Sequence, residues 1–581
     1  AERAGVSADT VRLLARKEAI ELFDREVRRS PVRYYGGEPE STTGPDATVT
    51  LTEGQQTALE AIEARLLDPD PARRAQPLLV EGVTGSGKTE VYLRAIRTAV
   101  DAGGTAIVLV PEISLTYQAV RRFQRRFGDR VGVLHSGLSL GERHDEHARI
   151  AAGEVDVVIG PRSAVFAPIP RLRLIVVDEE NDSSFKQENE PRYDARRVAA
   201  ERARQEGASL VLGSATPSVE TRHEAADRFV LPERATGAAM PPITVVDMRE
   251  EEDSLFSREL LRRLDRNIAA GNKSILMLNS RGYARFLQCS SCGHVWKCAN
   301  CDISLTVHAA AGCLVCHHCG HSVATPAACP ECAGTEIRRW GTGTEKLERE
   351  VRRLFPEAPV LRLDADTARG YGEAPRLLAE FGRTPGAVLV GTQMVAKGHH
   401  FPDVTLAAVM NADLALAFPE FRAEERTYAL IMQLAGRSGR AELPGEVLIQ
   451  TWNAEIECIR MAADQAAEDF YAAELGRRRL LGYPPFTSLI NVVCLARDEE
   501  KPLKAAGWLK QKLEPVLGRE QLLGPAELFR LKGWSRGHFL IKTPGVEETL
   551  AAAKPVLEDC RGKMSARGVR LVVDVDPQWL S

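Results

Sequence analysis

No stretch of eighteen or more uninterrupted apolar residues occurs in the 581 positions, which excludes a membrane-spanning helix of ordinary length. The opening residues lack a basic stretch followed by an apolar one; that argues against secretion and for the cytoplasm, and no membrane partner is expected. Positive charge is not in excess. Lys and Arg number 76 against 80 Asp and Glu, a formal net charge of -4, so any nucleic-acid surface has to be a local groove and not a general polycation. Cysteine is scarce outside one window: nine of the twelve lie between Cys289 and Cys332, and a cytoplasmic setting argues against disulfides there. What is present, 44% hydrophobic and 27% charged residues over 581 positions, is more chain than one core can fill, and several globular domains are expected.

Residues 1–33 read as a short helix, a turn at Gly5, a second helix from about Ala8 and a short strand, the end of a winged-helix module. Its first half has no counterpart in the sequence, so a missing amino-terminal part is expected. Residues 34–48 are a Pro/Gly/Ser/Thr-rich linker. Across 49–232, the runs PLLVEG, AIVLVPE, VDVVIGPRS, LIVVDEE and SLVLGSAT alternate with helical segments, the pattern of a parallel sheet with helical crossovers. A second set, KSILMLNS, VLRLDAD, AVLVGTQ, VTLAAVMNAD and GEVLIQT, repeats the design over 233–286 and 337–455, interrupted by the cysteine-rich segment 287–336. Residues 456–581 mix strands and helices as a separate α+β domain. The fold class is therefore α/β, two tandem lobes with an insertion in the second.

GVTGSGKTE, Gly82 to Glu90, follows an apolar strand and opens a helix, the context a phosphate-binding loop requires. Gly82, Gly85, Ser86 and Gly87 would turn backbone amides onto phosphate oxygens, Lys88 would reach the β and γ phosphates of ATP, and the Thr89 hydroxyl would ligate Mg²⁺. Asp178 and Glu179 end the run LIVVDEEN, where one carboxylate can hold Mg²⁺ and the next can activate water; a helix-capping acidic pair is the bland alternative. Gln55 precedes the loop where such motors often contact adenine, although alone it reads as a surface glutamine. QLAGRSGR carries Gln433, Arg437 and Arg440, the two arginines three apart and so on one helix face. With a phosphate loop and an acidic pair upstream, they suit charge building on a γ phosphate better than a solvated helix face does.

The cysteine window contains CSSC, CANC, CHHC and CPEC, with Cys313 left over. Four such pairs supply eight thiolates, enough for two tetrahedral Cys₄ zinc sites. Spacing alone leaves the pairing open. Closed Cys₄ sites hold a module together and do not catalyse, and with the sulfur count complete, His317, His318 and His321 read as bystanders. Cys313, Cys458, Cys494 and Cys560 read as ordinary thiols.

Taken in order, GVTGSGKTE, LVPEISLT, GPRSAVFAP, DEEN, LGSATPS, LNSRGYA, VLVGTQMVAKGHHFPDV and QLAGRSGR resemble the successive motifs of superfamily 2 helicases. The wording of LVPEISLT, GTQMVAKGHHFPDV and YPPF, with the cysteine insertion, is similar to the bacterial replication-restart helicases, the PriA family. The likeness covers essentially everything after the linker. It implies RecA-like lobes and a 3′ to 5′ helicase that recognises stalled forks, together with a nested zinc arrangement: Cys289, Cys292, Cys329 and Cys332 on one ion, Cys298, Cys301, Cys316 and Cys319 on the other. It also implies that Ser214, Ala215 and Thr216 couple hydrolysis to DNA movement, that Lys397 and Gly398 face strand and nucleotide, and that Phe185, Lys186, Arg192 and Tyr193 form an aromatic-rich loop against DNA. Implied partners are forked and single-stranded DNA, primosome proteins with the replicative helicase loader, and single-strand DNA-binding protein, for a monomer at the nucleoid. One position departs from the family: DEEH is usual, and here Asn181 takes the fourth place. Asparagine hydrogen-bonds but cannot carry charge. That departure, with the missing amino-terminal part, motivates the rival reading of an ATP-binding fork scaffold that unwinds weakly. A duplex translocase of the restriction or remodelling kind is a second rival, but would not need two zincs or the YPPF domain.

Overall fold

The computed structural model describes residues 7–20, 50–111, 117–251, 255–278, 286–289, 291–301, 303–308, 312–317, 319–339, 343–364, 366–368, 373–396, 401, 403–439 and 444–580. Most of the expected winged-helix segment and its linker, Lys397, Gly398, Arg440, His318 and most of LVPEISLT and LNSRGYA lie outside them.

The first lobe is a seven-stranded sheet of β1 (Leu78–Gly82), β2 (Thr105–Leu109), β3 (Val131–Val133), β4 (Val157–Gly160), β5 (Leu172–Asp178), β6 (Ser209–Ser214) and β7 (Asp227–Leu231), in the order β3-β4-β2-β5-β6-β1-β7. Every pairing in it is parallel. The strands read as apolar runs because both faces are covered. Leu78, Val80, Val108 and Val176 point into one core, and Leu79, Ile107, Ile175 and Val177 into the other.

The second lobe begins with β8 (Ile243–Asp247) and β9 (Lys273–Met277). The cysteine-rich module follows, with the short strands β10 (Leu287–Cys289), β11 (Thr306–His308), β12 (Cys313–Val315), β13 (Ser322–Ala324) and β14 (Ile337–Arg339) in antiparallel sheets β10-β14 and β11-β12-β13. The lobe then resumes with β15 (Val360–Leu363), β16 (Val388–Gly391), β17 (Val404–Val409) and β18 (Glu446–Thr451), closing a parallel sheet β15-β16-β9-β17-β18-β8. The remaining sheet, β20-β21-β19-β22, is antiparallel. It comprises β19 (Ser488–Ala496), β20 (Leu522–Leu531), β21 (Trp534–Thr543) and β22 (Arg570–Val575), with helices Lys501–Leu517 and Val546–Ser565 sharing its core. Among the described residues no helix is long and apolar enough to cross a membrane.

Candidate nucleotide site and zinc module

The first lobe aligns three strand ends. β6 lies between β1 and β5, with Glu81 opposite Ser214 and Asp178 opposite Gly213, so the glycine-rich loop, Ser214 and the acidic pair emerge side by side at the carboxyl edge, where open α/β sheets bind ligands. Gly85 and Gly87 sit at φ +89° and +82°, a left-handed region that costs glycine little. Gly87 precedes helix Lys88–Asp101 with no side-chain cap, which leaves first-turn amides for an anion. Lys88 is buried and donates to the Gly82 carbonyl at 2.6 Å. The Ser86 hydroxyl is buried with no hydrogen-bond partner among the described residues. An open amide cradle, an inward lysine and an unsatisfied hydroxyl fit a nucleotide phosphate. Thr89, on the first turn of the same helix, is half-buried.

Gln55 is buried behind this loop. Its Oε1 accepts from the Thr52 amide at 2.9 Å in a capping box, and its Nε2 donates to the Ser86 carbonyl at 2.6 Å. In this structure it therefore braces the loop backbone and is not a surface glutamine.

Asp178 ends β5, and Glu179 follows at φ +52°, an uncommon conformation for a residue with a Cβ. Burial, then the charge of Glu179, raises the Asp178 carboxyl to about 6, against the pull of Lys88. Glu179 Oε2 is buried and unpartnered among the described residues. A close, desolvated carboxylate pair facing an ammonium suits a divalent cation, whose charge would relieve the repulsion. Tyr92 donates to Asp178 at 3.3 Å. It fits because residue 213 is glycine: a Cβ there would lie 1.6 Å from the tyrosine oxygen. Sequence reasoning missed Tyr92, and the glycine inside a buried strand was the available signal.

The third and fourth residues of DEEN have different jobs. Glu180 is fully buried and accepts from the Ser218 amide at 2.6 Å and the Thr221 hydroxyl at 2.7 Å; burial raises its carboxyl. Asn181 accepts from the Ser214 hydroxyl at 2.8 Å and donates to Thr216 Oγ1 at 3.3 Å. Gln433 Nε2 reaches the same Thr216 oxygen at 3.5 Å. Asn181 thus joins the acidic pair to LGSATPS, and Thr216 continues the chain into the second lobe.

That lobe closes on the loop. A Cβ on Gly436 would lie 2.3 Å from the Thr84 side chain. Burial lowers the Arg437 guanidinium's affinity for its proton, and the charge of Glu179 opposes this, so Arg437 lies within electrostatic reach of the acidic pair. Arg234, in the crossing between lobes, is buried and donates to the carbonyls of Gly439, Ala435 (3.3 Å) and Ser438 (3.1 Å), while the Ala235 amide donates to the Gly85 carbonyl at 2.9 Å. One dipeptide joins the phosphate loop to QLAGRSG, and no sequence motif announced it.

The four residues expected to form a strand-facing loop do not share a surface. Phe185 has no exposure and belongs to the first lobe's core. Lys186 is 5% exposed, donates to the Val575 carbonyl and pairs with Asp574 at 2.9 Å. An apolar ring beside a packed sheet and an ammonium beside a carboxylate both turn inward. Arg192, which donates to the Glu188 carbonyl, and Tyr193, edge-on to the exposed Phe166 at 5.0 Å, remain partly open.

In the module, the sulfurs of Cys289, Cys292, Cys329 and Cys332 lie within 4.8 Å of one another, as do those of Cys298, Cys301, Cys316 and Cys319. Two sets of four thiols at that spacing suit two tetrahedral zinc ions. The 316–319 knuckle also meets the last domain: His538, fully buried, bonds through Nε2 to the His317 carbonyl at 2.5 Å.

Models of known families match three stretches in chain order: the DEAD/DEAH box helicase over 52–225, the PriA DNA helicase Cys-rich region over 298–323, and the primosomal protein N C-terminal domain over 479–578. The replication restart protein PriA of Bacillus subtilis is 40% identical over 590 residues, covering 100% of this chain and 72% of that protein. The Chlamydia trachomatis protein of the same name is 38% identical over 591 residues, 98% of this chain and 76% of its own length. With a helicase core, a cysteine-rich insertion and a carboxy-terminal domain all matched in order, the chain belongs to the PriA family of replication restart helicases.

Proposed function

We propose that this DNA helicase recognises stalled or abandoned replication forks, unwinds them 3′ to 5′ using ATP, and begins primosome assembly to restart replication. One observation carries the motor reading: Thr84 packs on Gly436 across the cleft, beside Arg437, on which the charge of Glu179 acts, so nucleotide and the lobe interface share one space. Lys88 and the loop amides hold the phosphates, Glu179 takes a proton from the attacking water, and Arg437 with Arg440 stabilises charge on the γ phosphate. Mg²⁺, held by Asp178 and Thr89, would supply charge neutralisation. Loss of the γ phosphate frees Arg437, and the hydrogen-bonded chain from Asn181 through Ser214 and Thr216 to Gln433 carries the change to the lobe interface. Lys397 and Gly398 belong to the strand and nucleotide faces in this reading, as do Arg192 and Tyr193 to the strand. The two zinc ions fix the module for strand separation and for contact with primosome proteins, the helicase loader and single-strand DNA-binding protein. The chain acts as a monomer at the nucleoid.

Forks with a single 3′ or 5′ tail test this directly. Displacement of the 3′-tailed fork, absent in Lys88→Ala, is expected. Displacement of the 5′-tailed fork alone would overturn the polarity, and ATP turnover at background on every DNA would leave only a fork-binding scaffold.

A further inference from the structure

Behind the cleft lies a charged cluster that the nucleotide chemistry does not use. Arg478 is 1% exposed and lies near the end of helix Ala467–Leu481, just before the YPPF turn. Its guanidinium serves three carboxylates from three parts of the chain: Glu474 of its own helix at 2.8 Å, Glu425 of the second lobe at 2.5 Å and Glu220 of the first lobe at 3.1 Å, and it also donates to the Pro484 carbonyl at 3.2 Å. Arg422 answers Glu220 at 2.8 Å, and Arg477 answers Glu474 at 3.0 Å. Each carboxylate therefore has a cation, although a buried cluster of this kind repays its desolvation poorly and contributes more to geometry than to stability.

Its geometry is specific. Glu220 lies two residues beyond Ser218, the last residue of LGSATPS, and Glu425 accepts from the Val219 amide at 3.1 Å. Tyr471, on the Arg478 helix, donates to the Pro217 carbonyl at 2.6 Å. Glu425 is near the start of helix Ala423–Ala435, whose far end carries Gln433 and leads into Arg437. A planar fork with five donors can hold three carboxylates at fixed angles, and a lysine ammonium cannot.

We infer that Arg478 is a positioning residue for DNA-coupled ATP hydrolysis: by gripping Glu220 and Glu425 together it sets the spacing between LGSATPS and the helix that carries Gln433 and leads into Arg437. It touches no reacting atom and acts through those two carboxylates. The inference rests on the motor reading above and names a place where the carboxy-terminal region reports to the ATPase.

The test uses the full chain and compares the parent with Arg478→Lys, which keeps the buried charge, and Glu425→Gln, which keeps an acceptor for Val219. Turnover without DNA, turnover on single-stranded DNA, KM for ATP and DNA affinity without nucleotide are all measured. The DNA-stimulated kcat should fall about tenfold in Arg478→Lys and about threefold in Glu425→Gln, with KM, DNA affinity and DNA-free turnover within about twofold of the parent. If stimulated and unstimulated rates fall in parallel, or both variants match the parent, Arg478 is merely structural and the inference fails. A parent that DNA does not stimulate would overturn the motor reading and this inference with it. Should Arg478→Lys fail to fold, Glu425→Gln decides alone.

Discussion

The helicase lobes and the cysteine-rich module sit in one chain but are held by different forces. In the first lobe, β1, β2, β4 and β6 are buried at every position, and each core aliphatic side chain contributes roughly 1.5–3 kcal/mol by leaving water. In the module the strands are three residues long, and among the described residues five of the eleven buried in its core are cysteines. So little apolar area cannot order about fifty residues unaided, and two metal ions have to supply the difference, each worth on the order of 10 kcal/mol. The lobes can afford to leave Ser86 and Glu179 unsatisfied at their rim because the sheets beneath are over-determined; the module has no such reserve.

Metal removal should separate the two regions most sharply. A strong zinc chelator is expected to release two ions per chain and expose 287–339 to protease while both lobes keep their melting transition and most of their DNA-stimulated turnover. Joint collapse would show that module and lobes are one cooperative unit. The converse perturbation is Lys88→Ala. It should cut ATP turnover by about 100-fold or more and leave zinc content and melting unchanged, since among the described residues Lys88 donates to the Gly82 carbonyl of its own loop, far from the cysteine module in the chain; zinc loss in that variant would break the contrast.

A smaller effect distinguishes the regions by acid. Asp194 of the first lobe is held at about 2, despite burial, by the charge and hydrogen bonds of Arg196. A depressed carboxylate contributes stability above its unfolded value near 4, lost as pH falls from there towards 2, and the contribution here is about 2 kcal/mol. Zinc thiolates take up protons at milder acidity. Between pH 6 and 4, therefore, the module should release metal while Asp194→Asn stays less stable than the parent by a constant amount, measured by thermal melting. If that gap closes above pH 4, the Arg196 pair does not set the lobe's acid limit.

The same contrast governed what could be read from the sequence. Strands covered on both faces, such as LLVEG and SLVLGS, announced themselves as apolar runs. Three edge strands did not: β3 is only three residues, β7 is mostly exposed and β8 is half-buried throughout. The cysteine pairs were legible because thiolate chemistry needs its spacing locally, and the glycines of the phosphate loop for the same reason. Long-range contacts left no local trace. Arg234 meets Ser438 across 204 positions, and Lys186 was drawn inward by Asp574, a partner no spacing rule connects to the acidic pair.

The smallest expected effect is at Asn181. The residue bonds to two hydroxyls, accepting from Ser214 and donating to Thr216, and neither bond needs a charge. A neutral imidazole offers one acceptor and one donor, so Asn181→His should change DNA-stimulated turnover by less than about threefold at pH 8. Below about pH 6.5 the ring gains a proton and can no longer accept from Ser214. The variant should then lose stimulation while the parent, with no titrating group at 181, does not follow. The pH profile is thus more informative than the rate at one pH. A rise of more than about tenfold at pH 8 would mean that the neutral amide costs the motor its coupling, and this chain would stand nearer a fork-binding scaffold than its relatives; a flat profile in both proteins would detach Asn181 from coupling altogether.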